Sequence, residues 1–171
     1  MFYFERKSVR LKGHDYAGPG VYFVTFLVKF REHLLGQIKD GTILLSEAGE
    51  IVRDEWLKSF QIRNELVCHE YIIMPNHIHA ILEIIGKDLD DQSSDDSREV
   101  FRMKPRSLSS FIAGLKWVTT LKIRKLPKFS GIILWHRGYH DHLVRSKMEM
   151  KNIGEYIRNN LKNWDQDEHY C

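Results

Sequence analysis

The segment His77–Ile84 (HIHAILEI) constrains the fold of this chain more than any other part of the sequence. Its aliphatic residues alternate with other side chains, and successive side chains of a strand point to opposite faces of a sheet. The alternation therefore predicts a strand with its aliphatic residues on a core face. His77 and His79 are expected to emerge together on the opposite face.

The remaining sequence supplies partners for this strand. Patterns with the periods of strands and helices recur along the chain. The predicted strands are Val21–Phe30, Leu34–Ile38, Thr42–Leu45, Leu66–Met74, Ile132–Trp135 and Tyr139–Val144, and the predicted helices run from Ser46 to about Arg63, from Ser107 to Lys125 and from Ser146 to about Trp164. The last helix begins with the spacing of a capping box, Ser146 to Glu149. This order predicts an α+β fold with an antiparallel sheet and helices packed mainly on one face.

Length and composition fit one domain that covers residues 1–171. Residues 1–20 are polar and basic and are expected to form an N-terminal arm, whereas residues 87–99 contain six acidic residues and predict a mobile surface loop. Cys68 and Cys171 provide no disulfide framework, and no apolar run is long enough for a signal peptide or a membrane span. We therefore expect a cytoplasmic protein with no membrane contact.

Positive charge is concentrated in one part of the sequence. From Val100 to His140 there are nine Lys and Arg residues and no Asp or Glu, whereas the rest of the chain has 17 Lys and Arg and 23 Asp and Glu. Such segregation is typical of a surface that binds a polyanion. A solvated basic helix face produces the same pattern, so both interpretations stay open.

Two polar residues of the last predicted helix could complete a site with the histidines. Tyr156 and Asn160 are four positions apart and therefore share one face of that helix. Together with His77 and His79 they would supply two imidazole nitrogens and an amide oxygen to a divalent ion, with a hydroxyl nucleophile one turn away. A tyrosine half-buried at an interface, a solvated asparagine and a surface histidine pair also fit these spacings.

Two neighbouring motifs leave further alternatives. Glu83 shares the predicted strand face of His77 and His79, where it could help to activate water in a metal-dependent hydrolase or simply be an exposed charge. His140-Asp141-His142 is a second pair of histidines, which we interpret as orienting residues rather than as metal ligands.

The sequence resembles the single-tyrosine HUH transposases, in particular the REP-associated tyrosine transposases and related insertion-sequence enzymes. The resemblance is carried by RKSVRLKGHDYAGPGVYFVTF at 6–26, EYIIMPNHIHAIL at 70–82, LWHRGYHDHLVR at 134–145 and EYIRNN at 155–160. It implies a ferredoxin-like sheet in which His77, His79 and Asn160 bind Mg²⁺ or Mn²⁺ and Tyr156 is the nucleophile. The implied activity is the cutting and rejoining of single-stranded DNA near hairpins through a 5′-phosphotyrosine intermediate.

The resemblance also implies possible partners, and the chain departs from the family pattern at two positions. Relatives include monomers and homodimers, so a homodimer is one expectation, and a non-catalytic nucleic-acid-binding module is the alternative function. Leu161 stands where the family commonly has proline, which would let the tyrosine helix run on past Asn160, and His136 stands where glutamine is common. The residues predicted to contact DNA are Lys116, Lys122, Arg124, Arg145 and Arg10.

Overall fold

The computed structural model describes residues 18–85 and 106–164 of the chain. The N-terminal arm up to residue 17, including Arg10, and the acidic segment 87–99 lie outside these residues. The described strands are β1 (Gly20–Leu27), β2 (Gly36–Lys39), β3 (Thr42–Leu45), β4 (Leu66–Ile73), β5 (His77–Ile84) and β6 (His140–Val144), and the helices are α1 (Glu47–Ile62), α2 (Leu108–Ile123) and α3 (Lys147–Asn159).

Four of the strands form one antiparallel sheet in the order β4-β5-β1-β6, and β2 and β3 form a separate hairpin. The predicted α+β fold with an antiparallel sheet is therefore confirmed. Pairing of β1 with β5 places Thr25 opposite His79 and Phe26 opposite Ile78. This register defines two faces of the sheet, which we call the core face, with Phe26 and Ile78, and the site face, with Thr25 and His79.

The core face is covered by α1 and α2. Phe26 stacks on Trp56 of α1, and Trp56 in turn contacts Phe111 of α2. Trp56 and Phe26 are fully buried, and Phe111 is nearly so. Two of the three described helices thus pack on this face, as predicted, and the main hydrophobic core lies between them and the sheet.

The site face carries α3 alone among the described helices, and it packs over β4 and β5. Gly154 and Ile157 are the buried residues of α3. The α-helix ends at Asn159 rather than near Trp164, because the backbone bonds that follow are of the tighter i to i−3 type, from Asn160 to Ile157 and from Lys162 to Asn159. Leu161 therefore does not extend the helix.

Two predicted strands differ from the structure near the end of β1. The strand stops at Leu27 instead of Phe30, because Phe30 and Arg31 adopt left-handed backbone angles that leave the sheet. Residues 132–135 do not form a strand and make only an isolated bridge between Trp135 and Val28. Backbone bonds from Lys29 to Leu134 and from His136 to Leu27 flank this bridge, and the two left-handed residues turn the chain away directly after it.

Candidate functional site

The two histidines of β5 lie side by side on the site face. Their ring centroids are 4.4 Å apart, and the side chains of His77 and His79 are almost completely buried. The predicted placement on one face is confirmed. Because both imidazoles are buried, they are not a surface histidine pair. Two adjacent buried imidazoles are suited to binding one shared ligand.

His77 is oriented by the residue that precedes it. Asn76, which is fully buried, donates from Nδ2 to the carbonyl of Arg31 at 3.1 Å. This bond leaves its Oδ1 as the acceptor for Nδ1 of His77 at 2.8 Å. The imidazole proton is thereby held on Nδ1 and the lone pair on Nε2, the arrangement that metal-binding histidines need.

His79 stands between a hydroxyl of the sheet and the tyrosine of α3. Its Nδ1 lies 2.7 Å from Oγ1 of Thr25, and its Nε2 lies 3.3 Å from the hydroxyl oxygen of Tyr156. When the phenol donates to Nε2, the ring proton is on Nδ1 and is donated to Thr25. Thr25 therefore orients His79 as Asn76 orients His77.

Packing on the sheet fixes Tyr156 in this position. Its ring meets Phe23 edge to face, with centroids 6.1 Å apart, and 43% of the residue remains exposed. One turn further along, Asn160 is buried, and Trp164 stacks on His77 with centroids 5.9 Å apart. Asn160 thus lies in the chain between Tyr156 and Trp164, the two residues that contact the histidines.

The donor set fits a divalent ion. No group of three His, Cys, Asp or Glu side chains able to hold a metal occurs within 18–85 and 106–164. Among those residues, a third protein ligand would have to be of another type, and the amide oxygen of Asn160, which is buried like Nε2 of His77, is the candidate. Imidazole and amide ligands are compatible with Mg²⁺ or Mn²⁺, although oxygen-rich sites are more usual for both.

The first turn of α3 is tied to β6. Ser146 accepts from the backbone N–H of Glu149 at 3.1 Å, so the predicted N-cap is confirmed. The Glu149 carboxylate does not return to Ser146 as a capping box would require; it accepts from the backbone of Arg145 and from His142, both at 2.7 Å. These two bonds lower the pKa of Glu149. His142 thus holds the start of the tyrosine helix, in agreement with its interpretation as an orienting residue.

Three residues predicted to contact DNA have partners inside the protein. Lys116 donates to the carbonyls of His136 and Gly138 at 3.0 and 2.7 Å, and burial lowers its pKa to about 8. Lys122 forms an ion pair with Glu55, and Arg124 donates to the carbonyl of Ile132 at 2.8 Å. Their DNA contacts stay predictions, as do those of Arg145, which is exposed, and Arg10.

Glu83 takes no part in the histidine site. Its carboxylate lies 2.6 Å from Nε2 of His69, and it stands four residues beyond His79 on the same strand. A strand rises about 3.3 Å per residue, so this spacing places Glu83 roughly 13 Å along β5 from His79. The geometry therefore disfavours a hydrolase that activates water with Glu83.

Sequence reasoning missed Thr25, Asn76 and Trp164 as parts of the site. A threonine within the otherwise apolar run VYFVTFL, and an asparagine directly before the histidine pair, were the available signals. Trp164 carried none, because its contact with His77 depends on where the helix ends.

Comparison with known proteins agrees with this fold. No protein-family model matches the chain. It is 31% identical over 169 residues to an uncharacterised protein of Haemophilus influenzae, with 96% of this chain and 93% of that protein covered.

Two solved structures are similar in fold. One is a REP-associated tyrosine transposase bound to a REP hairpin, with a TM-score of 0.61, 17% identity, and 95% of this chain and 76% of that one covered. The other is described as a putative transposase of Deinococcus radiodurans, with a TM-score of 0.50, 17% identity, and 88% of this chain and 97% of that one covered. This chain therefore belongs to one protein family with the Haemophilus influenzae protein, and its fold is that of the tyrosine transposases.

Proposed function

We propose that this protein is a tyrosine transposase that cuts and rejoins single-stranded DNA near hairpins. The observation that carries the proposal is the position of the Tyr156 hydroxyl, 3.3 Å from Nε2 of His79, whose ring lies next to that of the buried His77. A solved structure of similar fold binds a REP hairpin, which supports hairpin DNA as the substrate. Within the described residues, no helix is both long and apolar enough to span a membrane.

We expect His77, His79 and Asn160 to hold Mg²⁺ or Mn²⁺. Such an ion, when bound, withdraws charge from the scissile phosphate. One lone pair of His79 cannot serve two partners, so ligation through Nε2 would release the phenol of Tyr156. Because the tyrosine is 43% exposed, its proton can then pass to solvent. An ordinary tyrosine has a pKa of about 10 and is mostly protonated at neutral pH, so proton loss would need the nearby positive charge that a bound ion would supply.

The chemistry of the phenol follows from its position. The oxygen of Tyr156 attacks phosphorus, a tyrosine–phosphate bond forms, and the bond from phosphorus to the 3′ oxygen breaks. The phenolic proton is lost, and the departing 3′ oxygen gains a proton to become a free hydroxyl. A second 3′ hydroxyl can attack the 5′-phosphotyrosine in the reverse sense, so DNA is resealed without ATP.

The test is to trap the covalent adduct. Hairpin DNA with single-stranded flanks, labelled at its 5′ or its 3′ end, is incubated with the protein and Mn²⁺ and run on a denaturing gel. We expect an adduct that carries the DNA 3′ of the cut. Tyr156→Phe should abolish it while the fold and hairpin binding survive, since only the hydroxyl is removed. Tyr139→Phe, which removes a hydroxyl bonded to Ser109, is the matched control and should retain the adduct.

Each outcome has a defined meaning. If Tyr156→Phe still forms the adduct, another residue is the nucleophile. If the wild-type protein binds the hairpin but forms no adduct, the non-catalytic binding module is the better description. A homodimer and a cytoplasmic location remain predictions.

A further inference from the structure

We propose that the loop Val28–Glu32, which we call the Phe30 loop, contacts single-stranded DNA next to the histidine site, with the ring of Phe30 stacked on a base. The inference rests on the proposed function and adds to it a substrate-contacting surface. It is carried by three observations: the exposure of Phe30, the way the loop is held, and the charge around it.

The side chain of Phe30 is exposed, and its backbone conformation is energetically unfavourable. The residue is 79% exposed, and Phe30 and Arg31 have φ angles of 58° and 57°. Bulky residues rarely adopt the left-handed region, and two in succession persist only where the surroundings enforce them. A large ring held in water by an unfavourable backbone adds almost no burial to the fold, so its exposed surface is available for a contact outside the protein.

The loop is held rigidly next to His77. The backbone N–H of Val28 donates to the carbonyl of Asn76 at 2.8 Å, and the side chain of Asn76 donates to the carbonyl of Arg31 at 3.1 Å. The same side chain accepts from His77. One buried asparagine therefore connects both ends of the loop to a histidine of the site.

The surroundings of Phe30 favour nucleic acid as the partner. Lys29 and Arg31 flank the ring, and Nζ of Lys29 lies 4.8 Å from its centroid. The backbone of Lys29 also donates to the carbonyl of Leu134, which brings the exposed Ile133 alongside. Aromatic rings between basic side chains bind single strands by stacking, without sequence readout. Glu32 is the acidic residue of the loop.

The test measures binding of fluorescein-labelled dT20 by anisotropy. Phe30→Ala should weaken binding roughly 5- to 150-fold, the range expected when one base no longer stacks. Phe30→Trp should restore it, because a larger ring still stacks. Ile62→Ala, which removes another exposed side chain at 71% exposure, is the matched control and should bind as the wild type does. A 20-bp duplex should bind Phe30→Ala and the wild type equally, since its bases are already stacked.

Several results would overturn the inference. These are dT20 binding by Phe30→Ala at wild-type strength, equal weakening for dT20 and duplex, or no rescue by tryptophan. A change of molar mass by light scattering in Phe30→Ala would assign Phe30 to a contact between two copies of the chain instead. If the wild type forms the covalent adduct but any of these results is obtained, the inference alone fails. If the wild type neither binds dT20 nor forms the adduct, the proposed function fails with it.

Discussion

At the residue scale, the site depends on buried amides as much as on imidazoles. Asn76 is fully buried and Asn160 is 2% exposed. A carboxamide in such a position is costly unless its polar atoms are used, at about 1–3 kcal/mol for each group left without a partner. Asn76 uses its oxygen and nitrogen to orient His77 and the Phe30 loop. Asn160 is the corresponding candidate for holding an ion.

We predict that Asn160→Ala lowers the affinity for Mn²⁺ by about tenfold or more, because one ligand is removed. Isothermal titration of the two proteins with Mn²⁺ measures the change. Asn159→Ala, at the exposed neighbouring position, is the matched control and should bind Mn²⁺ as the wild type does. Hairpin binding should fall without disappearing, since basic side chains supply much of the affinity. Unchanged Mn²⁺ affinity in Asn160→Ala would remove Asn160 from the proposed ligand set.

The sequence predicts the chemically distinctive residues of the site better than those that orient them. Strand alternation places His77 and His79 on one face, and helical spacing relates Tyr156 to Asn160. The contact between Thr25 and His79 depends on the register of β1 against β5. Register is set by packing across strands that are distant in the sequence, so a local pattern does not reveal it.

At the scale of elements, the position of Tyr156 depends on how α3 begins. Ser146 caps the helix, and Glu149 connects its first turn to β6 through His142. The predicted capping serine is correct, whereas the partner of the glutamate is one residue earlier than predicted. The distinction could not be made from the sequence, because Ser146 and Arg145 both offer a backbone N–H within reach of the carboxylate.

We predict that Ser146→Ala destabilises the protein by about 1 kcal/mol, measured by urea unfolding, and also reduces adduct formation. Ser46→Ala is the matched control, since Ser46 caps α1 by the same bond to the third helical residue. It should cost at least as much free energy of unfolding, since Ser46 also donates to the carbonyl of Leu34 at 2.6 Å, but it should leave adduct formation unchanged under native conditions. Equal effects of the two variants on adduct formation would mean that the cap of α3 has no special part in positioning Tyr156.

The sequence predicts well those helices and strands whose apolar residues recur with an unbroken period. The helices α1 and α2 and the strands β4 and β5 lie close to their predicted bounds. The failures gather at one place, where β1 ends early and residues 132–135 do not form a strand. There the backbone of Lys29 bonds to Leu134 and that of His136 to Leu27, so pairing continues across an irregular loop. The end of β1 and residues 132–135 have the β-branched and aromatic composition of a strand, so the sequence alone does not show that they are irregular.

At the scale of the whole molecule, the basic segment is divided between structural and exposed charges. The sequence assigns salt-dependent DNA binding to Lys116 and Lys122. Both have internal partners, whereas Lys125 and Lys128 are exposed. A cation already bonded within the protein releases fewer counterions from DNA, so we expect the exposed pair to contribute the larger share.

We predict that Lys125→Gln with Lys128→Gln flattens the plot of log affinity against log salt concentration by about one unit for each DNA phosphate that the protein no longer neutralises. Anisotropy of labelled hairpin DNA at several salt concentrations gives the slope. The matched double variant, Lys116→Gln with Lys122→Gln, should change it less. A larger change of slope in this second variant would mean that Lys116 and Lys122 bind more DNA phosphates than Lys125 and Lys128 do.

The tyrosine helix packs on the sheet without contributing to the main hydrophobic core. Among the described residues, the continuous hydrophobic core draws side chains from the sheet, α1 and α2, and none from α3. Lifting α3 would uncover Ile157, Ile81 and the two histidines, but it would leave the main core between the sheet, α1 and α2 closed. A DNA end bonded to Tyr156 would therefore be attached to a detachable arm, and it could be carried to a new partner strand while the rest of the fold stayed in place as a fixed frame.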